Sequence, residues 1–178
     1  KFKTSFYYNI DHKKDQKYDR VEFILNKKQK LIYNDVRKFG FIKFSDIKKY
    51  KNSMHFKNLG PEPLKKTFNQ TYFKNYIIGR NRVIKEILMD QKFVSGIGNI
   101  YANEILFLSN VKPSRKVEKL KEFELKKIVK NAKKILKNAI DQGGSSIKDF
   151  SSSNGKKGSF QQHFNVYGRK GEKCSNKK

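Results

Sequence analysis

Residues 119–144 carry the strongest structural signal in the chain. Apolar side chains recur there at intervals of three and four residues, which predicts one long amphipathic helix. Gly143 and Gly144 follow the last apolar position, where glycine commonly ends a helix. A stripe of this kind usually packs into a core, so the helix predicts a folded domain built on its apolar face. The stripe comprises Leu125, Ile128, Val129, Ala132, Ile135, Leu136, Ala139 and Ile140.

The length of 178 residues suits one ordinary domain or two small ones. Fifteen Phe and nine Tyr supply the bulky apolar area that disordered chains lack. No apolar run approaches the roughly 20 residues that cross a bilayer, and the first residues do not form a signal peptide. A single cysteine excludes an internal disulfide framework and fits a reducing compartment, so we expect a cytoplasmic protein without a membrane partner.

The formal net charge of +26 favours a polyanionic partner such as nucleic acid. Lysine supplies most of this charge, and an AT-rich coding bias produces the same profile. The rare arginines are more informative, because a guanidinium in a lysine-rich chain marks a place where a planar, forked donor is needed. They are Arg20, Arg37, Arg80, Arg82, Arg115 and Arg169.

The first 50 residues have strand character, and the rest is mainly helical. Runs rich in β-branched and aromatic residues predict an antiparallel meander with strands at 18–26, 31–36 and 39–44. A short helix opened by Ser45 is expected at 45–51. The sequence "NLGPEPL" (58–64) predicts a connector, since proline and glycine do not continue a helix. Further helices are predicted at 70–78, 82–91 and 100–110, and a loop at 145–160.

Two segments have the composition of a nucleic-acid contact. In "KFVSGIGNIYANE" (92–104) a glycine-bearing turn leads into a helix whose first N–H groups suit a phosphate, with Asn99 expected at the N-cap. An ordinary capped helix hairpin is the alternative. In "DVRKFG" (35–40), Arg37 and Phe39 on a tight turn form a plausible wedge for duplex DNA. A hairpin turn with Phe39 buried is the alternative there.

The 145–160 loop has glycines and Lys148, Lys156 and Lys157 to close on a ligand, although a solvated linker has the same composition. The sequence contains no nucleotide P-loop, paired-histidine zinc motif or nucleophile elbow. Its three histidines show no ligand spacing, and Cys174 has no neighbouring base that would activate its thiol.

Read in order, six segments resemble the bacterial formamidopyrimidine-DNA glycosylases over nearly the whole chain, from about residue 17. The related endonuclease VIII branch shares the helix–two-turn–helix and "YGR" elements, and a fragment of that type is an alternative. The six segments are "DVRKFG" (35–40), "LGPEPL" (59–64), "IKEILMDQKFVSGIGNIYANEILF" (84–107), "QGGSSIKDF" (142–150), "NGKKGSF" (154–160) and "VYGRKGEKC" (166–174).

The resemblance implies an α+β fold in three parts. Residues 1–50 correspond to the C-terminal part of an antiparallel β-sandwich, the end of the family's N-terminal domain. Residues 51–150 correspond to the helix–two-turn–helix domain that binds DNA. Residues 151–178 correspond to the lesion-recognition loop and the start of a truncated zinc-finger hairpin.

The resemblance also implies base excision repair of oxidised purines, such as 8-oxoguanine and formamidopyrimidines, in duplex DNA. Family members flip the damaged nucleotide out, cut its glycosidic bond and nick the backbone as AP lyases. Duplex DNA with an oxidised purine or an abasic site is therefore the expected partner, bound by a monomer. A basic nucleic-acid-binding module without catalysis is the competing hypothesis.

The family's motifs imply roles for individual residues of this chain. Arg37 matches the arginine that faces the orphaned cytosine, Phe39 the wedge aromatic, and Lys38 a phosphate contact. Tyr18 stands where the family usually has a histidine. Asn81 stands where the family usually has a basic residue, and Arg80 or Arg82 is the candidate to take over that role. The other DNA-binding candidates are Lys85, Asn99, Tyr167 and Arg169, and the lesion-loop candidates are Ser146, Lys148, Gly155 and Gly158.

The family's nucleophile is an N-terminal proline followed by a glutamate, and neither matches Lys1-Phe2. We therefore expect no catalytic residue in these 178 residues and no activity from them alone. Cys174 matches the first of four zinc ligands, but Lys177 stands where the second is usual. Tetrahedral zinc needs four ligands, so we expect no zinc and no other cofactor here, although complete family members hold zinc.

Overall fold

The computed structural model describes residues 4–8, 16–26, 29–144 and 159–173, which form both strands and helices. The strands are β1 (Thr4–Tyr8), β2 (Asp19–Ile24) and β3 (Lys30–Asp35). This mixture confirms the predicted α+β class. The α-helices are α1 (Gln70–Ile77), α2 (Ile84–Met89), α3 (Asn99–Ser109) and α4 (Glu122–Asp141).

The three strands form one antiparallel sheet in the order β1-β3-β2. Phe6 of β1 and Val21 of β2 both lie opposite Tyr33, so β3 is the central strand. Its residues from Ile32 to Asp35 are buried. The predicted strands at 18–26 and 31–36 are confirmed as β2 and β3, whereas β1 was not anticipated from the sequence.

The strand predicted at 39–44 is wrong, because this segment has no regular structure. β1 and β2 already occupy both edges of β3, which leaves the next segment no place beside it. Lys38 adopts a left-handed backbone with φ of 56°, which interrupts the extended conformation of β3 before this segment.

The short helix predicted at 45–51 is found only as a turn followed by one 3₁₀ turn. Residues 47–49 form a turn, and a single 3₁₀ turn follows at Tyr50–Asn52. Asp46 rather than Ser45 opens it, since the Asp46 carboxylate accepts the Lys48 N–H at 2.7 Å. Asp side chains bond nearby backbone in this way and so favour turns over helix interiors.

The predicted helix at 119–144 is confirmed as α4, and its apolar stripe lies in the core from Leu125 to Ala139. Leu136 is only half-buried, and Ile140 is 64% exposed, so the stripe ends before the helix does. The Gly144 N–H bonds to the Ala139 carbonyl at 2.7 Å and the Gly143 N–H to the Ile140 carbonyl at 3.0 Å. These are the two bonds of a Schellman motif, and both glycines have positive φ.

An aromatic cluster forms the centre of the helical core. Phe93 is fully buried between Phe68 and three rings of α1, Tyr72, Phe73 and Tyr76, with ring centroids 4.7–5.8 Å apart. These are the separations at which aromatic pairs attract beyond their burial. None of the helices in the described part is long and apolar enough to cross a membrane.

The described residues group into two compact units. One contains the sheet and continues to Phe44, together with 139–144 and 159–163; the other contains 45–138 and 164–173. Backbone bonds from Ser159 to Gln142 and from Phe160 to Gly144 join the returning chain to the end of α4 within the first unit. The chain thus enters the first unit twice, and the domain boundaries proposed at 50 and 150 stay a prediction.

Candidate nucleic-acid interface

Asp35, the last residue of β3, organises the turn that follows it. Its buried carboxylate accepts the backbone N–H groups of Arg37, Lys38 and Gly40 at 2.8–3.0 Å. The Tyr33 hydroxyl donates a fourth bond to the same carboxylate at 3.3 Å. Burial and the Asp35 charge raise the pKa of Tyr33, which keeps this donor protonated. One side chain thus fixes the whole turn.

Gly40 is required by the same arrangement. A Cβ at this position would lie 1.6 Å from the Tyr33 hydroxyl oxygen, so a side chain there displaces the tyrosine. The turn therefore combines an inward-facing carboxylate with a glycine against which the tyrosine packs.

The side chains of this turn point outward. Phe39 is 77% exposed, and the Arg37 guanidinium lies over its ring at 4.7 Å. The alternative in which Phe39 is buried in a hairpin turn is thereby excluded. Lys38, predicted to approach a phosphate, is exposed on the same turn. A cation stacked on an aromatic ring is suited to contact with unpaired bases.

Tyr18, the predicted contact before β2, lies in the 3₁₀ turn Gln16–Tyr18 and is half-buried. The Lys17 ammonium lies over its ring at 4.8 Å. Arg20 follows it on β2 and donates to the Asp35 carbonyl at 3.1 Å. One of the rare arginines therefore supports the backbone from which the Arg37 turn departs.

Helices α2 and α3 are joined by residues 90–98, which make two turns. Gln91 holds them together: its side-chain oxygen accepts the Gly96 N–H at 2.7 Å, and its amide nitrogen donates to the Ile97 and Met89 carbonyls. Gly96 has a φ of 83°, which favours glycine. Gln91 was not identified from the sequence, where it gave no signal beyond its place in the motif.

The "LGPEPL" connector (59–64) forms backbone hydrogen bonds with these turns. The Gly60 N–H bonds to the Gln91 carbonyl at 2.8 Å, and the Ser95 N–H bonds to the Pro61 carbonyl at 3.1 Å. A Cβ on Gly60 would lie 2.4 Å from the Phe93 carbonyl oxygen, so only glycine permits this approach. The Tyr72 hydroxyl donates to that same carbonyl at 2.8 Å.

The expected N-cap role of Asn99 is corrected by the structure. Gly98 is the N-cap, with an extended backbone, and the Ala102 N–H bonds to the Gly98 carbonyl at 2.9 Å. Asn99 is the first helical residue, and its exposed side chain accepts from Asn103 at 3.4 Å. Without an N-cap side chain, the first turn of α3 presents N–H groups that suit a phosphate.

Lys85 and Arg82 lie at the start of α2. Lys85 is half-buried, and its backbone N–H bonds to the Pro113 carbonyl. Arg82 instead pairs with acidic residues, bonding to Asp90 at 2.8 Å and to Glu86 at 3.5 Å. This hydrogen bond from Arg82 lowers the pKa of Asp90. Arg80, the other candidate to replace Asn81, stacks over the Tyr76 ring at 4.2 Å.

Glu104 of α3 anchors the segment that carries Tyr167 and Arg169. It is 2% exposed and accepts the backbone N–H groups of Asn165, Val166 and Tyr167 at 2.8–3.0 Å. The Asn165 side chain donates a fourth bond at 2.9 Å. A carboxylate enclosed by successive N–H groups holds the backbone rigidly. The sequence did not single out Glu104, because its spacing alone does not show that it is buried.

Tyr167 is half-buried with its ring edge-on to Phe164, and Arg169 is exposed. The Arg169 guanidinium bonds to Glu172 at 2.7 Å and to the Asn165 carbonyl at 3.3 Å. Both predicted residues thus belong to the second unit, together with Lys85 and Asn99. Arg37, Lys38 and Phe39 belong to the first.

The predicted lesion-loop residues and the predicted remnant of a zinc site fall outside the described residues. These are Ser146, Lys148, Gly155, Gly158 and Cys174. In the described part, no group of three or more His, Cys, Asp or Glu residues is placed to hold a metal. One cysteine in the whole sequence does not fit a four-ligand zinc site, so the absence of zinc stays a prediction.

A family model described as "Formamidopyrimidine-DNA glycosylase H2TH domain" matches residues 59–151, just over half of the chain. The formamidopyrimidine-DNA glycosylase of Rickettsia canadensis is 40% identical over 163 residues, which cover 92% of this chain and 59% of the relative. That of an Enterobacter species is 42% identical over 159 residues, covering 89% and 58%. The chain therefore spans about three-fifths of the length of these curated relatives.

Solved structures match the fold as well. A Lactococcus lactis FPG mutant in complex with Fapy-dG-containing DNA superposes with a TM-score of 0.88 at 31% identity, covering 98% of this chain and 64% of that one. The Lactococcus lactis Fpg bound to DNA with an abasic site gives 0.87 at 32%, with the same coverage. MutM (FPG) from Thermus thermophilus gives 0.83 at 29%, covering 97% and 64%. On the family-model match, this chain belongs to the formamidopyrimidine-DNA glycosylase family.

Proposed function

We propose that this chain is the DNA-binding part of a base-excision-repair enzyme that removes oxidised purines from duplex DNA. In this proposal the whole protein is both an N-glycosylase and an AP lyase. Residues 1–178 grip the duplex and fill the gap that a flipped nucleotide leaves. The observation that carries the proposal is the turn held by Asp35, which presents Arg37 and Phe39 to solvent as a stacked pair.

Phe39 is 77% exposed, so most of its ring gains no free energy of burial in the free protein. A wedge inserted between base steps gives such a side chain a stacking surface. The Arg37 guanidinium beside it offers forked donors to the edge of the base left unpaired. The rigid turn fixes both groups in advance and so lowers the entropy lost on binding.

Contacts to the phosphate backbone come from the second unit in this proposal. The start of α3, which has no side-chain cap, supplies N–H groups beside Asn99, and Lys85 contributes from α2. Glu104 holds the backbone of Tyr167, and the Arg169 guanidinium bonds to the Asn165 carbonyl of the same segment. Residues 84–109 then act as the family's helix–two-turn–helix. The sheet is part of the family's β-sandwich, and Ser146, Lys148, Gly155 and Gly158 belong to its lesion loop.

Complexes of related proteins with damaged DNA support this proposal. Solved relatives include complexes with Fapy-dG-containing DNA, with abasic-site DNA and with carbocyclic 8-oxo-G-containing DNA. The substrates named there belong to those proteins, and we propose the same class for this one. We further propose that the chain acts as a monomer on DNA in the bacterial cytoplasm and binds no zinc through Cys174.

Replacement of Phe39 by Ala tests the proposal. We expect affinity for duplex DNA with an abasic-site analogue to fall about 5- to 150-fold, because stacking of a base on an aromatic ring contributes about 1–3 kcal/mol. Affinity for undamaged duplex should change little. Fluorescence anisotropy at fixed salt measures both. Phe44→Ala is the matched control, since Phe44 is 89% exposed but lies outside the turn.

A general basic module predicts a different outcome. It binds damaged and undamaged duplex equally at matched salt, because counterion release is independent of sequence. Equal affinity for the two duplexes, unchanged in Phe39→Ala, would reject lesion recognition by this turn.

The chemical step is tested separately. We propose that residues 1–178 alone form no covalent adduct with DNA containing 8-oxoguanine, because none of them matches the family's proline nucleophile or its glutamate. Borohydride reduction traps the Schiff base that an amine nucleophile forms with C1′. A trapped adduct of the 178-residue chain would show that it contains its own nucleophile.

A further inference from the structure

The outer face of α4 is a row of lysines. At 3.6 residues per turn, four of them fall within about 80° of arc, opposite the buried stripe. They extend along roughly 17 Å of helix axis, the rise of about five base pairs. The four are Lys126, Lys130, Lys134 and Lys137, and all are exposed.

This row has no carboxylate partners in the part of the chain that the structure describes. The acidic residues at the start of α4 are engaged elsewhere, Glu122 with Lys74 and Glu124 with Arg115. Lysines four residues apart on a helix repel one another. Lys126, Lys130 and Lys134 have this spacing, so the helix carries a local repulsion that an anionic partner relieves.

The row is also separate from the phosphate site at the start of α3. Asn131 of α4 donates to the Ser109 hydroxyl at 3.0 Å, so α4 contacts the last residue of α3. The start of α3 lies ten residues earlier, about 15 Å along the axis. The lysine row and the start of α3 are therefore two separate places on the second unit.

We propose that the outer face of α4 is a second binding surface for the phosphate backbone of duplex DNA. It contacts phosphates alone, because it has no forked donors with which to read bases. With one duplex at the lesion site, the row binds a second segment and brings two duplexes together on one molecule. This contact is independent of lesion recognition, so it survives a failure of the proposed role of Phe39.

Bridging of two duplexes by the 178-residue chain tests the proposal. A duplex with an abasic-site analogue is immobilised, the chain is added, and capture of a second, labelled, undamaged duplex is measured at several salt concentrations. The variant replaces Lys126, Lys130, Lys134 and Lys137 by Gln. A matched control makes the same change at Lys48, Lys49, Lys51 and Lys57, which are exposed outside α4.

We expect the α4 variant to lose capture of the second duplex at least tenfold, with affinity for the immobilised duplex within twofold of that of the control. The slope of log affinity against log salt for the second duplex should be smaller by about 3–4, as four lost phosphate contacts require. Circular dichroism checks that both variants are folded. Equal capture by the two variants overturns the proposal. So does capture unchanged in the α4 variant while its binding to anionic lipid vesicles is lost, since the face then serves a membrane surface.

Discussion

The turn after β3 and the first turn after α2 both begin at an aspartate whose carboxylate accepts the N–H two residues later. Asp35 bonds in this way to Arg37, and Asp90 to Lys92, each at 3.0 Å. Both turns then present the dipeptide Lys-Phe. Phe39 is 77% exposed after the first, whereas Phe93 is fully buried after the second.

The difference lies in what surrounds each ring. Phe93 is enclosed by the aromatic rings of Phe68 and α1, which come from other parts of the sequence. Phe39 has the Arg37 guanidinium over its face and is otherwise largely open to solvent. The same Lys-Phe dipeptide thus contributes a core residue in the turn after α2 and an exposed ring in the turn after β3. The difference arises because distant segments decide which ring is buried.

The largest expected effect concerns the two phenylalanines. Phe93→Ala should lower the free energy of unfolding by about 3–5 kcal/mol, since it leaves a cavity within a closely packed aromatic cluster. Phe39→Ala should change it by less than about 0.5 kcal/mol, as expected for an exposed side chain. Urea unfolding followed by circular dichroism measures both. A similar loss in the two variants would mean that Phe39 is packed in solution.

An intermediate effect distinguishes the side chains that hold the turns. Asp35→Asn should cost about 2–3 kcal/mol, because a buried carboxylate that accepts four bonds loses its charge and part of its acceptor capacity. Gln91→Ala removes two exposed bonds and one part-buried bond and should cost about 1 kcal/mol. Denaturant unfolding ranks the two. The reverse order would show that the turns between α2 and α3 depend more on the bonds of Gln91 than the turn after β3 depends on those of Asp35.

The smallest effect is a dependence on pH at Asp90. Its pKa is lowered in the folded protein, chiefly by the bond from Arg82, so it stabilises the fold above its unfolded pKa near 3.9. This contribution is lost as pH falls through the lower folded value. Because Arg82 is 44% exposed, Asp90→Asn should cost only about 0.2–1 kcal/mol at pH 7.

Thermal unfolding of wild type and Asp90→Asn at pH 7 and at pH 2 measures this effect. The two proteins should differ at pH 7 and converge at pH 2. Glu86→Gln, which removes the longer 3.5 Å contact of the same arginine, serves as the control and should differ less. A difference that stays constant with pH would exclude the ion pair as its cause.

Much of the helical part was predictable from local patterns. The spacing of Leu125, Ile128 and Ala132 is a property of one segment, and the terminating glycines are adjacent to it. The strand predicted at 39–44 failed for the opposite reason. Its alternating apolar residues suit a strand, but β1 from the start of the chain occupies the edge of β3 that it needed.

The sequence named candidate residues for the interface, but it predicted their geometry only in part. Arg37, Phe39 and Lys85 were named from motifs, and the structure places the first two together. Asn99 was expected at the N-cap, but Gly98 occupies that position. Asp35, Gln91 and Glu104 support the predicted contacts, and no spacing rule identified them, because their partners lie in backbone whose position depends on folding.

The sequence by itself determined that a long amphipathic helix forms, that the chain is α+β, and which family its motifs resemble. These properties depend on local periodicity and on the order of residues. Only the tertiary structure decided that Phe39 is exposed while Phe93 is buried, and that Glu104 holds the backbone of Tyr167. The physical reason is that exposure and hydrogen bonding depend on which distant segments meet, and one segment does not contain that information.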